Sequence, residues 1–245
     1  MTLRTVVYLS VFGFGLIQGQ SHAAETQGYQ ARAVIKAYDR AVLSAELAGK
    51  IAQMPKRMGE TFKKGDTLVA LDCAIFKAQR DKVSAEREAA QTKVENNRQL
   101  NKLNSIGKLE VAISEAELKK IEAELRIATL NTERCNIRAP YDGEVVALQA
   151  NEHESVREQQ PLIEILGNNQ IEAEIIVPAN WISWLKETMP ISLVIDETGK
   201  EIKTTIHRIS PMIDPVSQTI QLRAKIQDND AMAGMSASAK LTPIR

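Results

Sequence analysis

Apolar positions recur along this chain with two different periods, and the change between them marks its parts. Val111, Leu118 and Leu125 stand seven residues apart, and Ser114, Ile121 and Ala128 each follow three residues later, which is a heptad seam. Phe76, Val83 and Ala90 share the spacing, and Val94, Leu100 and Leu103 continue it less regularly. The stretch is rich in Ala, Glu, Lys, Gln, Arg and Leu, all strong helix formers. No proline lies between Pro55 and Pro140, no aromatic between Phe76 and Tyr141, and Gly107 is the only glycine of residues 66–142. The pattern predicts two antiparallel helical arms, 74–106 and 109–133. The tip is placed at about 100–110, where Asn104-Ser105-Ile106-Gly107 is the only turn chemistry available. At 1.5 Å rise per residue the arms reach on the order of 40–50 Å.

On both sides of the arms the pattern shortens to strand-like segments split by turn residues, and these repeat. GKIAQMPKRMGETFKKGDTLVAL (49–71) aligns without a gap on GEVVALQANEHESVREQQPLIEI (143–165), at a constant offset of 94. Gly49 matches Gly143, Ile51 matches Val145, Met54 matches Leu148, Glu60 matches Glu154, Phe62 matches Val156, Leu68 matches Leu162, and Leu71 matches Ile165. Each copy is too small to bury a core alone. Packing the copies together, with the helical arms inserted between them, is the simplest arrangement. Gly49, Gly65, Leu68, Gly143, Val145 and Leu162 are its candidate core and turn residues.

From Gln170 the period becomes two. Ile171, Ala173, Ile175 and Val177 alternate with polar residues as in a half-buried strand. Pro178–Leu185 reads as a short helix with Asn180 as a possible cap. Ile191–Ile195, Ile202–Ile209, Thr219–Ile226 and Ser236–Leu241 read as strands, with turns at Pro211–Pro215 and Asp228–Asp230. Several short strands with one helix predict a small barrel or sandwich. The class is α+β, mainly β with a long helical hairpin.

Composition narrows the function. The chain has 245 residues, 31 basic and 31 acidic, so it carries no electrostatic footprint for nucleic acid. Aromatics at 4% leave little for base stacking. Arg4, the apolar run Val6–Ile17 and the small-residue exit Ser21-His22-Ala23-Ala24 form a secretory signal pattern, expected to be cleaved near Ala23 or Ala24 and too short to span a bilayer. Export gives the two cysteines an oxidising compartment. Cys73 directly precedes the first arm and Cys135 directly follows the second, so an antiparallel hairpin brings them together as a candidate disulfide; two free buried thiols are the alternative.

Catalytic chemistry is sparse. G-x-S-x-G and P-loop patterns are absent, and His153 and His207 have no partner at metal-ligand spacing. The pairs Met54/Met58 and Met232/Met235 have the soft chemistry of Cu(I) ligands, although core filling explains them as well. No active site, cofactor or resident metal is expected.

The pattern G-x-I…G-E-x-F-K-K-G-D-x-L-x-x-L-D resembles half of a biotinyl/lipoyl domain, and Cys135-Asn-Ile-Arg-Ala-Pro-Tyr-Asp-Gly-Glu-Val145 resembles the second half-motif of the periplasmic adaptor, or membrane fusion, proteins of the HlyD type. The resemblance implies a split lipoyl-like domain with an inserted antiparallel coiled-coil hairpin, followed by a small β-barrel. The implied division is signal peptide 1–24, an N-terminal strand region pairing with the barrel 25–41, half-motif one 42–73, hairpin 74–134, half-motif two 135–168 and barrel 169–245. It further implies a short form without a full membrane-proximal domain, since Met232-Ala-Gly234-Met235 resembles the segment before the barrel's last strand and ten residues follow.

The function implied is a non-catalytic bridge in the periplasm, associated with the inner membrane through its partners. Those partners are an inner-membrane transporter (RND rather than ABC), an outer-membrane channel and further copies of the chain in a ring. Tip residues Leu100, Leu103, Ile106 and Gly107 are the candidate partner interface. Of the tip pattern Arg-x3-Leu-x6-Ser found in many relatives, aligned here to Asn96, Leu100 and Gly107, only the leucine is present. A stand-alone periplasmic coiled-coil scaffold or chaperone, and a copper-handling adaptor, are the competing readings.

Overall fold

The structure is a computed structural model that describes residues 29–168, 170–227 and 231–243; the expected signal peptide, His22 included, lies outside the described residues. The chain begins with β1 (Tyr29–Ala37), β2 (Arg40–Ser44), β3 (Gly49–Gln53), β4 (Thr61–Phe62) and β5 (Thr67–Leu71). Two helices follow, α1 (Ala74–Lys102) and α2 (Lys108–Glu133). Next come β6 (Asn136–Arg138), β7 (Gly143–Leu148), β8 (Ser155–Val156) and β9 (Pro161–Gly167). The last part holds β10 (Ile171–Pro178), a 3₁₀ turn (Ala179–Ser183), β11 (Pro190–Ile195), β12 (Glu201–Asp214), β13 (Thr219–Ile226) and β14 (Ser236–Leu241). The protein is thus mainly β with two helices.

Strict alternation builds the barrel. Ala173, Ile175 and Val177 of β10, Ile220, Leu222 and Ala224 of β13, and Ala237, Ala239 and Leu241 of β14 all face one buried interior. Their strands close in the order β1-β10-β13-β12-β11-β14. Alanines on β1 and β14 (Ala33, Ala237, Ala239) give the leucines and isoleucines opposite them room in a narrow lumen. Two sequence expectations need correction here. Pro178 occupies the N-cap of a 3₁₀ turn, and Asn180 lies inside that turn without capping it. Pro211 starts no turn; β12 runs on to Asp214, and the proline, which has no N–H to donate, falls in the register shift between Ile209 and Ile213.

The other strands form two four-stranded sheets, β2-β9-β7-β4 and β6-β5-β3-β8. Adding 94 to the residue numbers of β3, β4 and β5 lands on β7, β8 and β9, and subtracting it from β6 lands on β2. The hydrogen bonds obey the same rule. Gly59 N–H donates to Val145 O at 2.8 Å, and His153 N–H donates to Ile51 O at 2.9 Å. Gly65 N–H donates to Ala139 O at 2.8 Å, and Gln159 N–H donates to Ala45 O at 2.7 Å. Glu60 accepts from Arg57 N–H at 3.0 Å exactly where Glu154 accepts from Asn151 N–H, also at 3.0 Å. Each copy therefore lends strands to the other's sheet, and one core of Ile51, Leu68, Val145, Leu162 and Ile165 serves both. The left-handed turns also coincide, at Gly59 and Gly65 in the first copy and at His153 and Gln159 in the second. The second copy holds ordinary side chains where the first uses glycine.

Between the copies the two helices run antiparallel, as the pairs Arg98–Glu115 and Arg87–Glu122 show. On α1 the inward positions are Phe76, Arg80, Val83, Arg87, Ala90, Val94, Asn97 and Asn101, alternating four and three apart. The seam thus follows the asparagines near the tip, and Leu100 and Leu103 point outward. The first arm ends at Lys102, short of the expected residue 106, because the chain turns left-handed at Asn104.

Candidate functional site: the helical hairpin from tip to base

The tip is built by helix-end chemistry. Asn104 takes φ 55°, its N–H donates to Asn101 O at 2.9 Å, and Ser105 N–H donates to Leu100 O at 2.9 Å. This pattern closes a helix on a left-handed residue, and asparagine tolerates that conformation better than most. Asn101 Nδ2 then donates to Ile106 O at 2.8 Å and clamps the loop from inside. Gly107, expected as the turn residue, has extended backbone (φ −78°, ψ 161°) and is the N-cap of α2. The polar interior leaves the apolar residues outside: Leu103 is 73% exposed and Leu100 41%, while Ile106 is half-buried. Leu109 (73%) and Ile113 (55%) extend the same patch from the first turns of α2. These two lie outside the expected tip interface, and their four-residue spacing, off the seam of α2, is the sequence signal that marks them.

At the other end Cys73 and Cys135 are bridged by a disulfide, with Cα atoms 5.8 Å apart and 62 residues of sequence separation. Cys135 is fully buried in the shared sheet core, beside Leu71, whose N–H donates to Cys135 O at 2.8 Å. Leu68, Val145 and Leu162 lie in that core and Gly143 is buried at its edge, whereas Gly65 takes a left-handed turn and Gly49 is half-buried at the start of β3. Asp142 ties the copies together from outside, accepting the Lys64 N–H at 2.7 Å and facing Lys63 Nζ at 3.4 Å. The Lys64 N–H holds the Asp142 carboxyl below its ordinary value near 3.8, and Lys63 adds to the effect. A depressed carboxylate stabilises the fold at pH values above the unfolded pKa, and that contribution fades as pH falls through the folded one. Asp142→Ala is therefore expected to unfold at lower temperature than the parent at pH 7, with the gap closing below about pH 4. Melting curves from pH 7 to 3 check this; a gap of constant size would contradict it.

No protein-family model matches the chain. Nodulation protein NolF of Rhizobium meliloti is 24% identical over 208 residues, 79% of this chain and 57% of NolF. The chain spans about half the length of the curated relatives it matches. Among solved structures, a MacA-MexA chimera containing the Pseudomonas aeruginosa MexA α-hairpin domain superposes with TM-score 0.79, at 18% identity over 89% of this chain and 81% of the chimera. The membrane fusion protein Spr0693 of Streptococcus pneumoniae superposes with TM-score 0.68, at 15% identity over 89% of this chain and all of that one. The chain has the fold of the membrane fusion proteins.

Within that membrane fusion fold, α2 carries a second stripe. Leu109, Ile113, Ala116, Ala123, Ile127 and Leu130 keep the heptad spacing but lie opposite the seam, interrupted by Lys120, and all are exposed. The face of α2 turned away from α1 is thus largely apolar along its length. The methionine pairs assemble differently from a metal site. Met54 is fully buried in the sheet core while Met58 is 74% exposed, and Met235 Sδ accepts the Met232 N–H at 3.4 Å. His207 sits against Glu172 and Arg223 on the barrel wall, and His153 occupies its left-handed turn. Among the described residues no three His, Cys, Asp or Glu side chains are grouped to hold a metal ion.

Proposed function

We propose that this protein is a periplasmic adaptor that links an inner-membrane transporter to an outer-membrane channel by contacts alone. In this reading the two interlocked copies are a split lipoyl-like domain and the helices are its inserted antiparallel coiled coil. The observation that carries it is the tip, where Leu100, Leu103, Leu109 and Ile113 stand exposed on arms of about 40 Å, opposite a base closed by a disulfide. Exposed leucines at a helix end far from any core are costly unless they meet a partner. A channel's helical end is the partner they fit, by insertion of apolar side chains between its helices. The apolar outer face of α2 supports side-by-side packing of several copies into a ring. In this reading an RND-type transporter is preferred over an ABC-type one.

The chaperone reading calls for arms that open to clamp a client. Here Val83, Ala90, Val94, Ser114 and Ala128 are buried against the opposite arm, which disfavours it. The test is a Leu100→Glu, Leu103→Glu variant. Both side chains are exposed, so helicity is expected to hold, while site-specific crosslinking to the channel and export fall by about tenfold or more, as for a central contact residue. Undiminished crosslinking in the folded variant would rule out docking through the tip.

A further inference from the structure

The barrel has two rims. One faces the interlocked sheets, where Tyr38 N–H donates to Gln170 O at 3.0 Å and Gly167 N–H donates to Asp39 O at 2.8 Å. The opposite rim is formed by the start of β1, the ends of β10, β12 and β14, and the starts of β11 and β13, as the pairs Tyr29–Leu241, Pro178–Thr219 and Ile191–Leu241 show. The 3₁₀ turn lies over this far rim and is joined to the β12–β13 turn by Ala179 N–H to Gln218 O at 2.9 Å.

The far rim gathers the bulky amphipathic residues of an aromatic-poor chain. Trp181 and Trp184, the only two tryptophans in the sequence, pack with Tyr29 at ring-centroid distances of 4.8 to 5.5 Å. Around them stand aliphatic side chains without cover: Val216 at 92% exposure, Met212 at 72%, Ile182 at 50% and Ile213 at 43%. Charge is scarce and balanced there. Lys186, Glu187 and Lys240 are exposed, and the Asp214 carboxylate is occupied by the N–H groups of Val216 and Ser217 and by Ser217 Oγ. Tryptophan and tyrosine beside exposed aliphatics, without a run of like charge, is the composition that favours the boundary between lipid headgroups and acyl chains.

Chain geometry selects the same occupant. Tyr29 belongs to the aromatic trio and stands twelve residues after Ile17, the end of the apolar run. The eleven residues between them span at most about 40 Å. An apolar run held in a bilayer would tether the chain at the far rim, because β1 enters the barrel there at Tyr29. We propose that the far rim of the barrel rests in the headgroup region of a membrane, with Trp181, Trp184 and Tyr29 at its centre and Met212 and Val216 dipping deepest. Orientation toward the inner membrane rests on the adaptor reading; the lipid contact itself does not.

Both tryptophans lie at the proposed contact, so intrinsic fluorescence reads it directly. The full chain is mixed with phosphatidylcholine vesicles whose acyl chains are plain or dibrominated. Brominated lipid is expected to quench the tryptophan emission by roughly half, with little sensitivity to salt. Met212→Asp with Val216→Asp is expected to abolish the quenching, even where the apolar run still binds the chain to vesicles. Equal emission on both lipids overturns the proposal and leaves a protein surface as the occupant. Quenching of the double variant equal to the parent's also overturns it, since the N-terminal run alone would then bring the tryptophans to lipid. Leu100→Glu with Leu103→Glu should quench as the parent does, so loss of tip docking and loss of lipid contact are read separately.

Discussion

Replacing Cys73 and Cys135 together with alanine is expected to lower the unfolding free energy by about 4 kcal/mol, the loop-closure value for a bridge of this span. The bridge closes a loop of 62 residues that contains both helices and almost nothing else. Without it the base of the hairpin is held by short ladders such as β5–β6, by Phe76 packed against the sheet core, and by the seam contacts between the two arms. Alanine is the right replacement because Cys135 is fully buried and a serine hydroxyl would add its own desolvation cost. Urea unfolding of the oxidised parent and the double variant measures the difference. A loss below about 1 kcal/mol would mean that the arms hold their own base, and that the unfolded chain gains little freedom when the bridge is removed.

The parts of this fold that follow from period were legible in the sequence. Thr219–Ile226 and Ser236–Leu241 match their strands end to end, because alternation and flanking turns agree at both sites. The offset of 94 extends beyond side chains to hydrogen bonds and backbone conformation, since both copies must satisfy the same backbone groups in the same places. What escaped were positions where local chemistry competes with pattern. Leu100 and Leu103 read as continuing the seam, yet Asn97 and Asn101 take it, because an asparagine amide inside the tip can hold Ile106 O and a leucine cannot. Gly107 drew the turn by composition, while Asn104 makes it. Pro211 reads as a turn in isolation, but a bulge in a long hairpin accommodates it. Leu109 and Ile113 were hidden because a second apolar stripe on one helix has no partner within the same chain.

Gly143→Ala is expected to cost about 3 kcal/mol or more, at the upper end of overpacking penalties, while Gly49→Ala stays within about 0.5 kcal/mol of the parent. The two glycines are equivalent under the offset of 94, so sequence alone gives them the same role. A Cβ on Gly143 would lie 2.1 Å from the carbonyl oxygen of Leu166 and 3.0 Å from the Phe62 ring. That oxygen is backbone in the β7–β9 ladder, so relief requires the strands to separate. A Cβ on Gly49 meets only the Leu71 side chain, at 4.0 Å. The difference traces to the inserted helices. Leu166 corresponds to Asp72, and β5 has already ended at Leu71 so that the chain can turn through Cys73 into α1. In the second copy β9 continues to Gly167 and keeps a carbonyl over Gly143. The insertion thus freed one glycine of the pair and left the other compulsory. Denaturant midpoints of the two single variants test this; equal losses would show that the copies remain equivalent at these positions despite the hairpin.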